Sequence, residues 1–302
     1  MANGLRLGAK LPSAGPAPEA LGIPAMARRL EDAGFDSVWC SDHVIMTEST
    51  ERSYYPFGDD GTPGWDLTSP WYDALVVMAQ AAAVTQRVTI GCAVLVVPMR
   101  NPIVLAKQLA SLDRLSGGRI ELGAGAGWYA EEFEALGVDF ERRGGRLDEW
   151  LELMRRCWTG RPEAFEGAHH RLPAGVIHEP TPAHHIPILI GGMSGPALRR
   201  SASQDGWLAL QRAGHLDPAE VAEARTRMRA LAEGQGRDPD RLRIVLRVIE
   251  SQGRTADVVE RLGPMLEAGV DEVIVDTDWS TDDADEVRAY ELLAEARERL
   301  LG

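Results

Sequence analysis

The sequence predicts an α/β fold of the (β/α)8 TIM barrel class, with insertions at the C-terminal face of the barrel. Three observations carry that prediction. Short apolar runs alternate with amphipathic segments eight times along the 302 residues. The stretch Ala33-Gly34-Phe35-Asp36-Ser37-Val38 is echoed by Ala268-Gly269-Val270-Asp271-Glu272-Val273, so one helix-turn-strand unit is used more than once. No marked break in composition divides the chain, and a single barrel of about 250 residues plus insertions suits its length. Eight units without a break argue for closure over an open sheet, with one domain spanning residues 1–302.

In order, the strand candidates are residues 5–9, 37–40, 88–94, 119–122, 187–190, 206–208, 243–248 and 272–275. Helical periodicity follows each, at 23–33, 71–84, 102–115, 131–136 with 142–158, 196–203, 218–233, 255–268 and 284–300. The first of these helices has Pro24 in its first turn and Gly34 just past its end, the usual asymmetry of helix termini. Two interruptions break the rhythm. The first, near 45–70, holds Tyr54, Tyr55, Phe57 and Trp65 among turn-forming residues, and its length and position after a polar strand tip suit a lid. The second, near 161–186, carries Phe165, His169, His170 and His178 and reads as a hairpin or extended insertion over one flank of the barrel mouth.

Composition excludes several function classes. With 46 acidic against 32 basic residues and a net charge of -14, the chain lacks the basic footprint that nucleic acid requires. No stretch reaches the ~18 uninterrupted apolar residues of a membrane span, and the first residues do not read as a secretory signal. A cytoplasmic protein with no membrane or nucleic-acid partner is expected. Cys40, Cys92 and Cys157 are odd in number and lie in apolar runs, so they read as small buried hydrophobes. The seven histidines show no metalloprotease spacing, and no metal site is expected.

Chemistry in a parallel α/β barrel gathers at the carboxyl ends of the strands. The second strand ends in Asp42-His43. A histidine there suits proton transfer near neutral pH, with Asp42 either orienting it or bonding a cofactor. The fourth strand ends in Gly123-Ala124-Gly125-Ala126-Gly127-Trp128. A dinucleotide fingerprint would need glycine where Trp128 stands, but the glycines still allow backbone to approach a flat ligand closely. The fifth strand runs into Gly191-Gly192-Met193-Ser194-Gly195-Pro196 and a helix, which is anion-binding geometry suited to a phosphate. It is not a nucleophile elbow, because Pro196 takes the place of the last glycine. The third strand continues from Gly91 through Arg100, long enough to imply a bulge near its carboxyl end.

Together these stretches resemble the luciferase-like monooxygenase family of flavin and deazaflavin enzymes. The resemblance covers nearly the whole chain and is carried by residues 34–43, by Arg100-Asn101-Pro102 with Ala106-Lys107, by Leu112-Asp113 and Ser116-Gly117-Gly118-Arg119, by residues 122–128 with Glu131-Glu132-Phe133, and by 187–192 with Asp205-Gly206-Trp207. It implies a cofactor ring lying across the strand ends, faced by Asp42 and His43, with Ala93-Val94 at a third-strand bulge that in relatives often holds a non-prolyl cis peptide. Ala126, Gly127 and Trp128 would line the ring with Glu131 close behind, and Gly191, Gly192, Met193 and Ser194 would hold the cofactor phosphate.

The likeness is nearest to a deazaflavin-dependent branch. It implies coenzyme F420, with FMN as the alternative, and hydride transfer to or from a small organic substrate. The competing readings are a monooxygenase using reduced FMN and dioxygen, and a non-catalytic flavin-binding partner subunit. A homodimer or higher homo-oligomer is expected. The sequence departs from the branch at Trp128, where its sugar-phosphate and alcohol dehydrogenases carry a proton-donating glutamate, so their chemistry does not transfer as it stands.

Overall fold

The computed structural model describes residues 4–58, 60–277, 279 and 283–301. Its strands are β1 (Arg6–Lys10), β2 (Ser37–Cys40), β3 (Thr89–Val96), β4 (Ile120–Gly125), β5 (Phe165–Glu166), β6 (Arg171–Leu172), β7 (Ile188–Gly191), β8 (Gly206–Arg212), β9 (Arg243–Ile249) and β10 (Glu272–Val275). Eight of them close into a barrel in the order β1-β10-β9-β8-β7-β4-β3-β2, every pair parallel. β5 and β6 form a separate antiparallel pair outside it. The (β/α)8 barrel expected from the eight alternations is therefore the fold.

The helices are α1 (Ala17–Leu21), α2 (Ile23–Asp32), α3 (Ala74–Val84), α4 (Pro102–Ser116), α5 (Ala130–Ala135), α6 (Arg143–Cys157), α7 (Gly195–Ser203), α8 (Pro218–Gly234), α9 (Thr255–Glu267) and α10 (Asp283–Leu301). Side-chain caps fix several starts. Asp73 accepts from the amides of Leu75 and Val76, Asn101 from those of Ile103 and Val104, and Asp217 from those of Ala219 and Glu220. The cap at Asp73 places the start of α3 three residues later than helical periodicity suggested.

Inside the barrel, the strand period of two sorts side chains into layers. Nearest the amino ends of the strands, Arg6 and Arg243 each pair with both Glu121 and Glu272, all four contacts at 3.1 Å. Above this ring sits an apolar layer of Trp39, Leu189, Leu208, Val245 and Ile274. Trp39 is fully buried and fits because Gly91 faces it: a Cβ there would lie 2.3 Å from the indole. Two residues further along their strands, Lys10 and Arg247 continue the interior face into the open mouth.

The insertion near 161–186 departs from its expected place. Glu149 of α6 accepts from the amides of His169 at 3.0 Å and His170 at 2.7 Å, and Asp113 of α4 accepts from that of Ala183 at 2.7 Å. The segment thus lies along α4 and α6, and none of its residues lines the cavity at the mouth. The reason is topological. It joins a helix to the next strand, and such connections lie at the end of the barrel opposite the active face. Among the described residues, no helix is long and apolar enough to cross a membrane, and no group of three or more His, Cys, Asp or Glu is placed to hold a metal ion.

Candidate active site

A cavity of about 840 Å3 opens at the carboxyl ends of the strands. It brings together Asp42, His43, Ala93, Val94, Ala126, Gly127, Trp128, Gly191, Gly192 and Ser194, which lie on four separate strand ends. Glu131 and Met193 do not line it. Met193 packs against the hydrophobic core instead, and Glu131 binds the lid, its carboxylate accepting from the Arg52 amide at 2.8 Å and from the Ser53 hydroxyl.

His43 is 7% exposed and holds its ring by Nδ1, 3.0 Å from Oε2 of Glu132 on α5. A carboxylate can only accept, so Nδ1 carries the proton and Nε2 is the ring nitrogen left for a ligand. Glu132 is itself fixed, its Oε1 accepting from the amides of Val44 at 2.5 Å and Ile45 at 3.2 Å. Those two amides begin the lid, so one buried carboxylate orients the imidazole and ties down the chain that follows it. Sequence reasoning reached only the neighbour, Glu131. Consecutive helical residues point about 100° apart, and it is Glu132 that turns toward the barrel.

Asp42 does not orient His43. Its carboxylate grips Arg100 through two parallel bonds, Nη1 to Oδ2 at 2.7 Å and Nη2 to Oδ1 at 2.6 Å, and accepts from the Val96 amide at 2.9 Å. Burial pushes the Asp42 carboxyl above its ordinary value, against the opposing pull of Arg100 and the Val96 amide. The two short parallel bonds mark the pair as ionised. Asp42 therefore acts on the far end of β3, where the register with β4 shifts between Cys92 and Leu95 and the Ala93–Val94 peptide is cis. At this bulge the Val94 side chain stands between β4 and β7. A Cβ on Gly125 or on Gly191 would each come within 2.5 Å of it, so both glycines are required for Val94 to stand there.

The roof is aromatic. From the lid, Tyr55 packs at 5.0 Å on both Trp65 and Trp128, and Trp65 lies 6.0 Å from the His43 ring. Trp71 meets His43 edge-on at 4.6 Å, and Trp128 stacks on Tyr129 at 4.9 Å. Tyr55, Phe57 and Trp65 line the cavity, whereas Tyr54 is 69% exposed and faces away. The indole nitrogens of Trp65 and Trp71 are buried without a partner, two donors that the fold leaves for something else.

The opposite end of the cavity suits an anion. Gly192 has φ of +110°, and its carbonyl accepts from the Trp207 indole at 2.8 Å. Ser194 caps α7, whose first amides have no partner inside the helix. Arg143 reaches into the same end, bonded only to the carbonyls of Gly127 and Phe140 and paired with no carboxylate among the described residues. Arg200 lies beside them, neutralised by Asp148. Arg143 and Arg200 were not foreseen from the sequence, since arginines spaced through helices look like a solvated face. A volume within the roughly 300–1,000 Å3 of small-ligand pockets, the apolar lining of Ala93, Val94, Ala126 and Leu208 and this anion end together fit a phosphate-bearing redox cofactor.

Comparisons with known proteins agree with this fold. An uncharacterized protein of Mycobacterium tuberculosis is 35% identical over 250 residues, covering 83% of each chain. F420-dependent glucose-6-phosphate dehydrogenase of Amycolatopsis mediterranei is 34% identical over 184 residues, 60% of this chain and 50% of that one. A monooxygenase of Streptomyces bottropensis superposes with a TM-score of 0.76 at 19% identity, over 99% of this chain and 100% of its own, a likeness of fold. The profile of the luciferase-like monooxygenase family matches residues 6–301, and the chain belongs to that family of F420- and flavin-dependent oxidoreductases.

Proposed function

We propose that this protein is a cytoplasmic, F420-dependent oxidoreductase that transfers a hydride between the deazaflavin and a small organic substrate. The observation that carries this reading is His43, locked by Glu132 at 3.0 Å and set under an aromatic roof in the same cavity as the N-terminus of α7. Asp42 through Arg100, together with Ala93, Val94, Ala126, Gly127 and Trp128, would shape the surface that borders the ring. Gly191, Gly192, Ser194 and Arg143 would hold the phosphate. When bound, the deazaflavin supplies a ring carbon that donates or accepts a hydride.

His43 handles the accompanying proton at Nε2, while Glu132 fixes the tautomer and balances the charge of the imidazolium. Tyr55, Phe57 and Trp65 exclude water from the reacting atoms. The Trp128 indole, unlike a carboxylic acid, supplies no proton, and His43 is the group of the strand tips that can carry one. Assembly into a homodimer or higher homo-oligomer is proposed too, supported by Val76 on α3 and by Val104 and Leu115 on α4, which are apolar and exposed. Light scattering measures it.

F420 is favoured over FMN by the dehydrogenase relative. The experiment is a titration of the purified protein with each cofactor, followed by turnover under nitrogen. Saturable F420 binding and anaerobic bleaching or recovery of the deazaflavin band are expected. Strict dependence on oxygen with reduced FMN would assign the protein to the monooxygenases instead. Absence of turnover with either reduced cofactor would favour a non-catalytic flavin-binding partner.

A further inference from the structure

Two cations stand in the cavity away from the phosphate end, and neither is used in the reading above. Lys10 ends β1, Arg247 lies on β9, and Asp276 follows β10; all three line the cavity with Ser41. Lys10 Nζ donates to the Ser41 hydroxyl, and Arg247 Nη1 donates to the same oxygen at 3.0 Å and to the Ala93 carbonyl at 2.8 Å. Arg247 Nε is buried with no acceptor. The nearby carboxylate, Asp276, touches Arg247 Nη2 only at 3.4 Å, and its other oxygen accepts from the Glu250 amide at 2.9 Å. No carboxylate among the described residues pairs with Lys10. Two cations thus face one partly engaged anion in an apolar enclosure, and the balance of charge and of hydrogen-bond acceptors is left to an occupant.

We propose that Lys10, Ser41 and Arg247 form a subsite for a carboxylate of the substrate, so that the protein acts on an organic acid with an apolar body. The body would lie against Tyr55, Phe57, Leu210 and Ile249, which line the same cavity. A carboxylate brings acceptors and no donors, matching ammonium and guanidinium groups that are donors alone. This inference deepens the proposed function and rests on it for the word substrate. The anion site itself stands on the residues above.

The subsite is sensitive to pH. Burial, and then the neighbouring Arg247, bring the Lys10 ammonium down to about 7, with Asp276 acting in the opposite direction. Cys40 and Cys92 are the other titratable groups facing Lys10, and Tyr55 faces Arg247 and Asp276 from the lid, its own hydroxyl pushed up by burial. An anion binds the protonated lysine, so affinity is full below pH 7 and falls as Lys10 loses its proton above it.

Benzoate is the probe, with benzamide as its uncharged isostere, each followed by tryptophan fluorescence in protein without cofactor and in protein saturated with F420 or with FMN. Saturable benzoate binding in every sample is expected, at least tenfold tighter than benzamide and weakening from pH 6 to pH 8.5. Arg247→Gln and Lys10→Met should each weaken benzoate tenfold or more, and Lys10→Met should flatten its pH dependence. Cofactor titration of the same variants shows whether they are folded. Equal affinity for benzamide, or unchanged benzoate binding in both variants, would overturn the subsite. Competition between benzoate and cofactor would overturn it differently, assigning the cations to the cofactor ring. Failure of F420 to bind while benzoate still does would break the functional reading and leave the anion site standing.

Discussion

His43 and Glu132 are 89 positions apart in sequence and meet at 3.0 Å, both almost wholly buried. If His43 moves the proton, His43→Ala lowers turnover by roughly 10²–10⁴-fold with modest loss of cofactor affinity. Imidazole added to the buffer should restore part of it. Near-normal turnover in the alanine variant would reduce His43 to ring packing.

Glu132 acts through His43, so Glu132→Gln should lower kcat while the Kd for the cofactor stays put. The amide offers a donor where Nδ1–H needs an acceptor, which frees the ring to turn or to change tautomer. Steady-state kinetics beside a cofactor titration separate this from general damage to the site, which would move both constants.

At the phosphate end, Gly192→Val should weaken cofactor binding far more than Ser194→Ala. Valine is strained at φ of +110°, and its Cβ would come within 3.3 Å of the Ala197 methyl. Removing the Ser194 hydroxyl takes away one contact and a helix cap, together about 1–2 kcal/mol. Equal cofactor affinity in Gly192→Val and the parent protein rules the placement out.

Replacing residues 54–65 by a short linker should leave the barrel folded and raise KM or lower kcat, because Tyr55, Phe57 and Trp65 roof the cavity. The base of the lid lies outside the deletion. Thr47 bonds the Tyr129 hydroxyl through its amide at 2.9 Å, and Ser53 bonds the Ala130 amide at 2.7 Å. Unchanged kinetics in a folded deletion variant would show that the loop is not a lid.

The Asp42–Arg100 pair predicts a stability effect. Asp42→Asn leaves the largely buried Arg100 guanidinium with only the half-exposed Asp73 carboxylate, 3.8 Å away, and should cost about 3 kcal/mol, read as a lower urea midpoint. The double variant Asp42→Asn with Arg100→Met should recover part of that loss, since no buried charge of the pair is then left and Asp73 is half-exposed to water.

The barrel was legible because its evidence is local and periodic: apolar runs every few tens of residues mark buried parallel strands whatever surrounds them. Element ends were less so. β8 runs to Arg212 where the expected strand ended at Leu208, because Ala209 and Leu210 continue the apolar run and buried Gln211 and half-buried Arg212 still pair with β9. The short α1 escaped notice because Pro16 and Pro18 bracket its start and read as loop. Of the site, the strand tips were visible as Asp42-His43 and the two glycine-rich turns. Their partners were not. Nothing local distinguishes Glu132 from Glu131 or Glu134, and Lys10 and Arg247 look like any charge at a strand end until closure of the barrel sets them side by side.

The ring of Arg6, Glu121, Arg243 and Glu272, capped by Trp39, shuts the axis of the barrel at its base. Traffic to His43 therefore enters from the mouth of the barrel, beneath the lid. Two molecules sharing that mouth cannot exchange independently: whichever rests deeper is loaded first and discharged last. Turnover on such a plan follows a compulsory order, and a dead-end analogue of the later arrival traps the earlier one inside, so its inhibition grows stronger as the concentration of the first rises.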